Sequence, residues 1–237
     1  MEKSYPDTII QRILDSELRP SSRYRYSDLG FYLFHRMIED MTEKSFEEYT
    51  REEFYAPLGL KTLMFNPLDK FSTARIVPSE KDSYFRHQTI CGHVHDMGAA
   101  MLGGVGGHAG LFGNAEDLAI IMQMLLNGGY YGGKEFFRPE TVDLFTSRHE
   151  NTTRRGIGFD MQETNKAKDP NISPLASSET FGHTGFTGIG VWADPRNDLI
   201  YIFLSNRTYP SMNNWKLNKH DIRLRIHDAI YEALMVN

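Results

Sequence analysis

Apolar residues recur every three or four positions over much of the first 150 residues, and gather into short runs after that. Ile9, Ile10, Ile13 and Leu14 share one face of a short helical pattern opened by Pro6-Asp7, and Arg19-Pro20-Ser21-Ser22 breaks it. A stronger pattern begins at Asp28 and carries Leu29, Leu33, Met37, Ile38 and Met41, one apolar face at helical spacing. Ser27 or Asp28 is placed to cap its first turn by accepting from free backbone N–H groups. Ser45-Phe46-Glu47-Glu48 has the form of a capping box. The helix it opens must stop before Pro57, because proline restricts the residue ahead of it. Residues 62–95 show no sustained period and read as a long loop, functional or mobile. The glycines of 103–110 allow close approach of backbone to backbone or ligand. Asn114 predicts the start of a helix through Leu118, Ile121, Met122 and Leu125, ended by Gly128-Gly129. Pro139-Glu140 predicts one more.

The last third changes period. Gly156-Ile157-Gly158-Phe159 predicts a strand, and 162–179 a polar loop. Residues 187–193 and 199–205, rich in β-branched and aromatic side chains, predict two strands joined as a hairpin at Asp194–Asp198. Leu217 to Leu234 predicts a single final helix. Trp192, Tyr201 and Phe203 suit strand packing. Met97, Met101, Met122 and Met124 suit core filling, and Arg154-Arg155 reads as solvated or as facing an acidic substrate.

With 237 residues, 40% hydrophobic and 24% charged, the composition is that of an ordinary globular protein. A net charge of -5 gives no basic footprint, so no nucleic-acid partner is expected. No apolar run approaches the roughly 18 residues of a membrane span. Met1–Pro6 lacks the apolar core of a signal peptide. A lone Cys91 cannot form an internal disulfide, and nothing in the pattern asks for a cofactor.

Two triplets carry candidate chemistry. Tyr26-Ser27-Asp28 stands at the start of a helix, and His183-Thr184-Gly185 on a strand entering a turn. Acyl transfer needs a nucleophile, a base for its proton and donors for the developing oxyanion. A phenol titrates near pH ~10, and nearby cations bring its phenolate into useful range. Tyr26 is the candidate for that work. His183, cationic or hydrogen-bonding, could hold a substrate carboxylate. Thr184 offers a hydroxyl, Gly185 lets a substrate backbone lie along the strand, and the N–H of Phe186 could donate to an oxyanion. Each triplet alone also fits plain helix capping or a β-bulge.

Taken together, and with Pro57-Leu58-Gly59-Leu60 and Gly107-His108-Ala109-Gly110-Leu111-Phe112 between them, the chain resembles the serine β-lactamase and penicillin-binding-protein-like family. The likeness is to the class C and D-alanyl-D-alanine carboxypeptidase branch. It also looks like the module that some bacteria fuse to family 3 glycoside hydrolases. The resemblance implies an α+β fold of the β-lactamase/transpeptidase type, an antiparallel sheet flanked by helices. It implies one incomplete domain over 1–237, with 1–150 mainly helical and 151–237 holding the sheet hairpin and last helix. It implies proton transfer by Tyr26, an oxyanion N–H from Phe186, and an ester, D-amino-acid peptide or β-lactam as a small-molecule or peptide substrate.

Two departures stand out. Asp28 replaces the usual asparagine, and an ionised carboxylate can only accept hydrogen bonds. No serine is followed three residues later by lysine, so the S-x-x-K nucleophile motif is missing. The chain is therefore expected to be a fragment, inactive alone, whose N-terminal strands and nucleophile helix belong to a larger parent exported by a bacterium. An open sheet edge and self-association would follow. A metal-dependent hydrolase using His93, His95 and His108, and a non-catalytic cell-wall-peptide binding module, are the competing readings.

Overall fold

The computed structural model describes residues 5–21, 24–149, 153–163 and 165–235. The chain divides after Gly113 into two compact units.

The first unit opens with α1 (Tyr5–Leu14) and α2 (Leu29–Thr42). The apolar stripe of α2 forms as its spacing predicts, yet none of its residues is fully buried, and Met41 is 75% exposed. Helix α3 (Phe46–Thr50) runs on through a π turn at Arg51–Tyr55 and stops short of Pro57. The Ser45 Oγ accepts from the Glu48 N–H at 3.2 Å, as the capping box requires.

Residues 62–95 are not the structureless loop that their lack of period suggests. They hold a hairpin of β1 (Glu80–Asp82) and β2 (Gln88–Ile90), paired antiparallel with Glu80 opposite Ile90. The inward positions of β1 are carboxylates, and both are buried. Asp82 accepts from the N–H groups of Tyr84, Phe85 and Arg86, each at 2.9 Å. Burial works against its charge, but these donors and the Arg86 guanidinium outweigh burial and hold the carboxyl well below the usual range. Glu80 accepts from the Tyr84 hydroxyl and faces His95 Nε2, both at 2.9 Å. Arg86 then donates to the carbonyls of Val94 and His95 at 2.6 and 2.7 Å. Here charge, not apolar burial, sets which face of the strand turns inward. Helix α4 (Met97–Met101) follows, capped by Asp96 accepting from Ala99 N–H at 2.8 Å. Met97, expected inside, is exposed. A bridge between Met64 and Phe112 closes the unit.

In the second unit α5 (Ala115–Leu126) starts at Asn114, whose side-chain oxygen accepts from Asp117 N–H at 2.9 Å. Gly128 and Gly129 end it in the left-handed region, at φ 64° and 93°. A small hairpin, β3 (Tyr130–Tyr131) and β4 (Lys134–Glu135), and α6 (Pro139–Thr146) lead to the sheet. Its strands are β5 (Asp160–Met161), β6 (Phe181–Thr184), β7 (Gly190–Asp194) and β8 (Leu199–Phe203), antiparallel and in that order. Alternation along β7 sorts the two faces. Val191 and Ala193 pack with Phe181 against Met122, Leu125 and Leu126 of α5. Trp192 faces Tyr201, Ile172 and Tyr231. Tyr231 belongs to α8 (Ile222–Met235), which follows the short α7 (Lys216–Lys219). A helix therefore covers each face of the sheet.

Two predicted boundaries move. Gly156–Phe159 is a turn rather than a strand. Gly158 sits at φ 79°, and Gly156 N–H donates back to the Phe159 carbonyl at 3.1 Å. The predicted final helix is broken at Asp221, which adopts φ 50° between α7 and α8.

Candidate functional site

Tyr26-Ser27-Asp28 lies in the first unit, on the segment that enters α2. Tyr26 is exposed. The Ser27 Oγ accepts from the Leu29 N–H at 3.2 Å. Asp28 takes the cap position in a helical conformation, and its side chain makes no capping bond. Of the two expected caps, only the serine works, and the Asp28 carboxylate is left for other partners.

The glycine-rich segment packs along the first turns of α2. A Cβ on Gly107 would strike the Phe31 carbonyl oxygen, so only glycine fits that approach. The next residue, His108, stacks on Tyr32 with ring centroids 4.2 Å apart. His108 Nε2 meets the Asp96 carboxylate at 2.9 Å, and hydrogen bonding from His108 holds that carboxyl below its ordinary range despite partial burial. The Tyr32 phenol is pushed up, first by burial and then by the charges of Asp96 and Asp28. Tyr32 is thus kept neutral, next door to the triplet, and is a scaffold rather than a base.

The histidines do not form the metal centre of the competing reading. His95 pairs with Glu80 and His108 with Asp96. Among the described residues no three His, Cys, Asp or Glu side chains gather where they could hold an ion. The reading based on His93, His95 and His108 is therefore set aside.

His183-Thr184-Gly185 lies in the second unit, at the end of β6. The strand is paired on one side with β7 over all four residues, but β5 reaches only Phe181 and Gly182. His183 and Thr184 extend beyond the end of β5. The turn that follows is tight. Gly185 N–H donates to Ile189 O and Gly188 N–H to Gly185 O, both at 3.0 Å. Gly188 sits at φ 105°, and the Ser205 hydroxyl donates to its carbonyl at 2.8 Å.

The state of His183 follows from its neighbours. Its Nδ1 lies 2.7 Å from the Thr184 carbonyl, which can only accept. Its Nε2 lies 3.1 Å from Nη1 of Arg155, which can only donate. With Nδ1 placed to donate to that carbonyl, Nε2 is placed to accept from the guanidinium. The positive charge beside the strand belongs to Arg155. That corrects the solvated reading of Arg154-Arg155: both are half-buried and turn to Asp160, Arg154 Nε at 2.7 Å and Arg155 Nε at 3.7 Å. Sequence reasoning singled out the histidine and missed the arginine's part. The one signal was a double arginine a few residues ahead of Asp160.

Phe186, next in the chain, is exposed, and its ring lies 4.6 Å from the Arg207 guanidinium. Neither Arg207 nor the aromatic stack around it was legible from spacing.

A sheet covered by a helix on each face is the α+β form that the sequence resemblance implied. The chain is a member of the β-lactamase family, whose model matches residues 2–223. It is 38% identical over 205 residues to a protein of Escherichia coli K12 named "Putative D-alanyl-D-alanine carboxypeptidase", covering 81% of this chain and 47% of that one. The chain spans about half the length of the curated relatives it matches. Among solved structures it is similar in fold to a β-lactamase from Mycobacterium bovis (TM-score 0.62, 19% identity, 91% of this chain and 66% of that one). It is likewise similar to a penicillin-binding protein homolog from Caulobacter crescentus (TM-score 0.54, 22% identity, 79% of this chain and 53% of that one). No helix among the described residues is long and apolar enough to cross a membrane.

Proposed function

We propose that this chain carries the recognition and proton-transfer elements of a serine acyl hydrolase acting on a carboxylate-bearing amide or ester, in the manner of a D-amino-acid carboxypeptidase. Tyr26 is the proton carrier, and Phe186 N–H is an oxyanion donor. His183, Thr184 and Gly185 form the strand against which the substrate lies. The nucleophilic serine comes from sequence outside this chain, since no serine here has a lysine three residues on. Ser27 and Asp28 orient the entry to α2, with the Asp28 carboxylate accepting where an asparagine would also donate.

The observation that carries the reading is the Arg155–His183 pair at the open end of β6. An imidazole whose ring nitrogens face the Thr184 carbonyl and Arg155 has no N–H left to offer a carboxylate, whereas a guanidinium holds one with a planar, bidentate fork. Arg155 therefore supplies the charge and His183 steers it, with the Thr184 hydroxyl beside them.

Two measurements test this. Incubated alone with a fluorescent penicillin or a fluorophosphonate, the chain should show no stoichiometric serine labelling. Covalent labelling of a serine in this chain overturns the missing-nucleophile part. A peptide ending in D-alanyl-D-alanine should shift the backbone amide resonances of 183–186, and Arg155→Ala should weaken that binding by at least about tenfold. Unchanged affinity in Arg155→Ala overturns the recognition part.

A further inference from the structure

On the far side of the β6–β7 turn, the segment after β8 folds around one arginine. Arg207 N–H donates to the Thr187 carbonyl at 2.8 Å, and its side chain is 8% exposed. The guanidinium lies between two aromatic rings, 4.6 Å from Phe186 and 4.2 Å from Trp215, which are themselves edge-on at 6.3 Å. Nη1 donates to the carbonyls of Met212 and Asn214, at 2.9 and 3.1 Å. Among the described residues no carboxylate meets it. A second guanidinium, on Arg223, bonds the Ile189 carbonyl at 2.9 Å and also lacks a carboxylate among the described residues. Burial, and then the repulsion of Arg223, pushes the Arg207 pKa down. A buried charge without a counter-ion is costly. Carbonyls and ring faces offset part of that cost, and the rest is a standing preference for an anion.

Space for one is adjacent. Arg207 lines an open cleft of about 420 Å³ together with Lys216, His220, Asn206, Asn214 and Tyr209. No Asp or Glu lines it. Lys216 and His220 are exposed at its mouth, so the wall offers cationic groups, amides and hydroxyls, and no acceptor charge to repel an anion.

We propose that this cleft is an anion-binding subsite that takes a compact oxyanion, a phosphate or carboxylate group, with Arg207 at its base and Lys216 and His220 at its mouth. The oxyanion replaces the counter-ion that Arg207 lacks, and the amides of Asn206 and Asn214 donate to its remaining lone pairs. Nothing in this requires a serine nucleophile or Arg155, so the site stands or falls separately from the acyl-hydrolase reading.

Trp215 is a built-in reporter, because it lies on Arg207 while the chain's other tryptophan, Trp192, is buried in the sheet core. The full chain is titrated with inorganic phosphate and, separately, with succinate. Chloride holds ionic strength constant, and intrinsic fluorescence is followed. A saturable change is expected with at least one of the two, absent with chloride alone and lost in Trp215→Phe. Preference for phosphate points to a phosphate ester as ligand, and preference for succinate to a carboxylate. Lys216→Ala/His220→Ala, both exposed positions that leave the fold intact, should weaken the response by at least about tenfold. Arg207→Gln should abolish it, with circular dichroism to confirm folding. A non-saturating response equal to that of chloride, or a double variant that binds as well as the parent, overturns the proposal.

Discussion

The two triplets sit in surroundings that differ in what they bury. The sheet that carries His183 has apolar side chains packed on both faces: Phe181, Ala193 and Met122 on one, Trp192, Tyr201, Ile172 and Tyr231 on the other. The helix that Tyr26 leads into buries nothing fully. Its apolar stripe is formed but only partly covered, and the first unit buries the carboxylates Glu80 and Asp82 beside apolar Leu58, Leu63, Phe65 and Ile90. A strand position fixed by packing is held before any substrate arrives. Helix α2 is held by half-buried and polar contacts instead, among them the Tyr32–His108 stack, the Arg36–Asp7 pair and the Phe46 N–H donating to Glu39. On the reading proposed above, the recognition strand therefore lies in the better-buried surroundings and the Tyr26 triplet in the more exposed ones.

The sharpest way to break this contrast is to delete from both regions. Trp192→Ala should cost about 3–5 kcal/mol in urea unfolding. Met41→Lys should change stability by no more than about 0.5 kcal/mol and reduce any self-association seen in sedimentation velocity. Comparable losses at both sites would erase the difference.

Acid should separate the regions next. His227 is buried against Tyr201, with ring centroids 4.3 Å apart, and accepts from Ser173 N–H at 3.4 Å. Burial pushes it down from 6.5 to about 4. The unfolded chain then binds a proton that the folded one refuses. The stability this contributes is intact above pH 6.5 and is lost as pH falls toward 4. Asp194, buried but accepting from Ser177, Tyr231 and Asn197, is also depressed, so its loss follows at lower pH. Unfolding of the sheet, followed by near-ultraviolet circular dichroism of Trp192, should begin in that window, and His227→Gln should flatten the upper part. An unchanged profile in the variant counts against the assignment.

A more local effect concerns the tie between α2 and the glycine segment. Gly107→Ala places a methyl against the Phe31 carbonyl and should cost about 1–3 kcal/mol. The loss should be concentrated as faster amide exchange in α2, while the sheet amides keep their protection. Uniform loss of protection would mean that the contrast does not hold.

Much of the second unit was legible because its signals are local. The Asn114 cap, the Gly128-Gly129 stop and the hairpin at Asp194–Asp198 each depend on a few adjacent residues. The Glu80–Ile90 hairpin was not legible. Its inward residues are charged, so an apolar-alternation reading places it in a loop, and the partners that satisfy them, Tyr84 and Arg86 in the hairpin's own turn and His95 beyond it, carry no apolar signal. The break at Asp221 was hidden because the apolar spacing continues straight across it. Of the candidate site, both triplets could be read in order from the chain. The partners Arg155 and Arg207 could not, because they meet His183 and Phe186 only after the strands have paired.

One bond reaches further than its size suggests. The Tyr231 hydroxyl, on the last helix, donates to the Asp194 carboxylate at the hairpin corner at 2.6 Å. A protease cut or an engineered stop ahead of residue 231 would strip that donor and expose the corner's acid to a void. The closing stretch of chain is in effect a latch on the sheet, and tags or fusions placed there need a spacer that lets it shut.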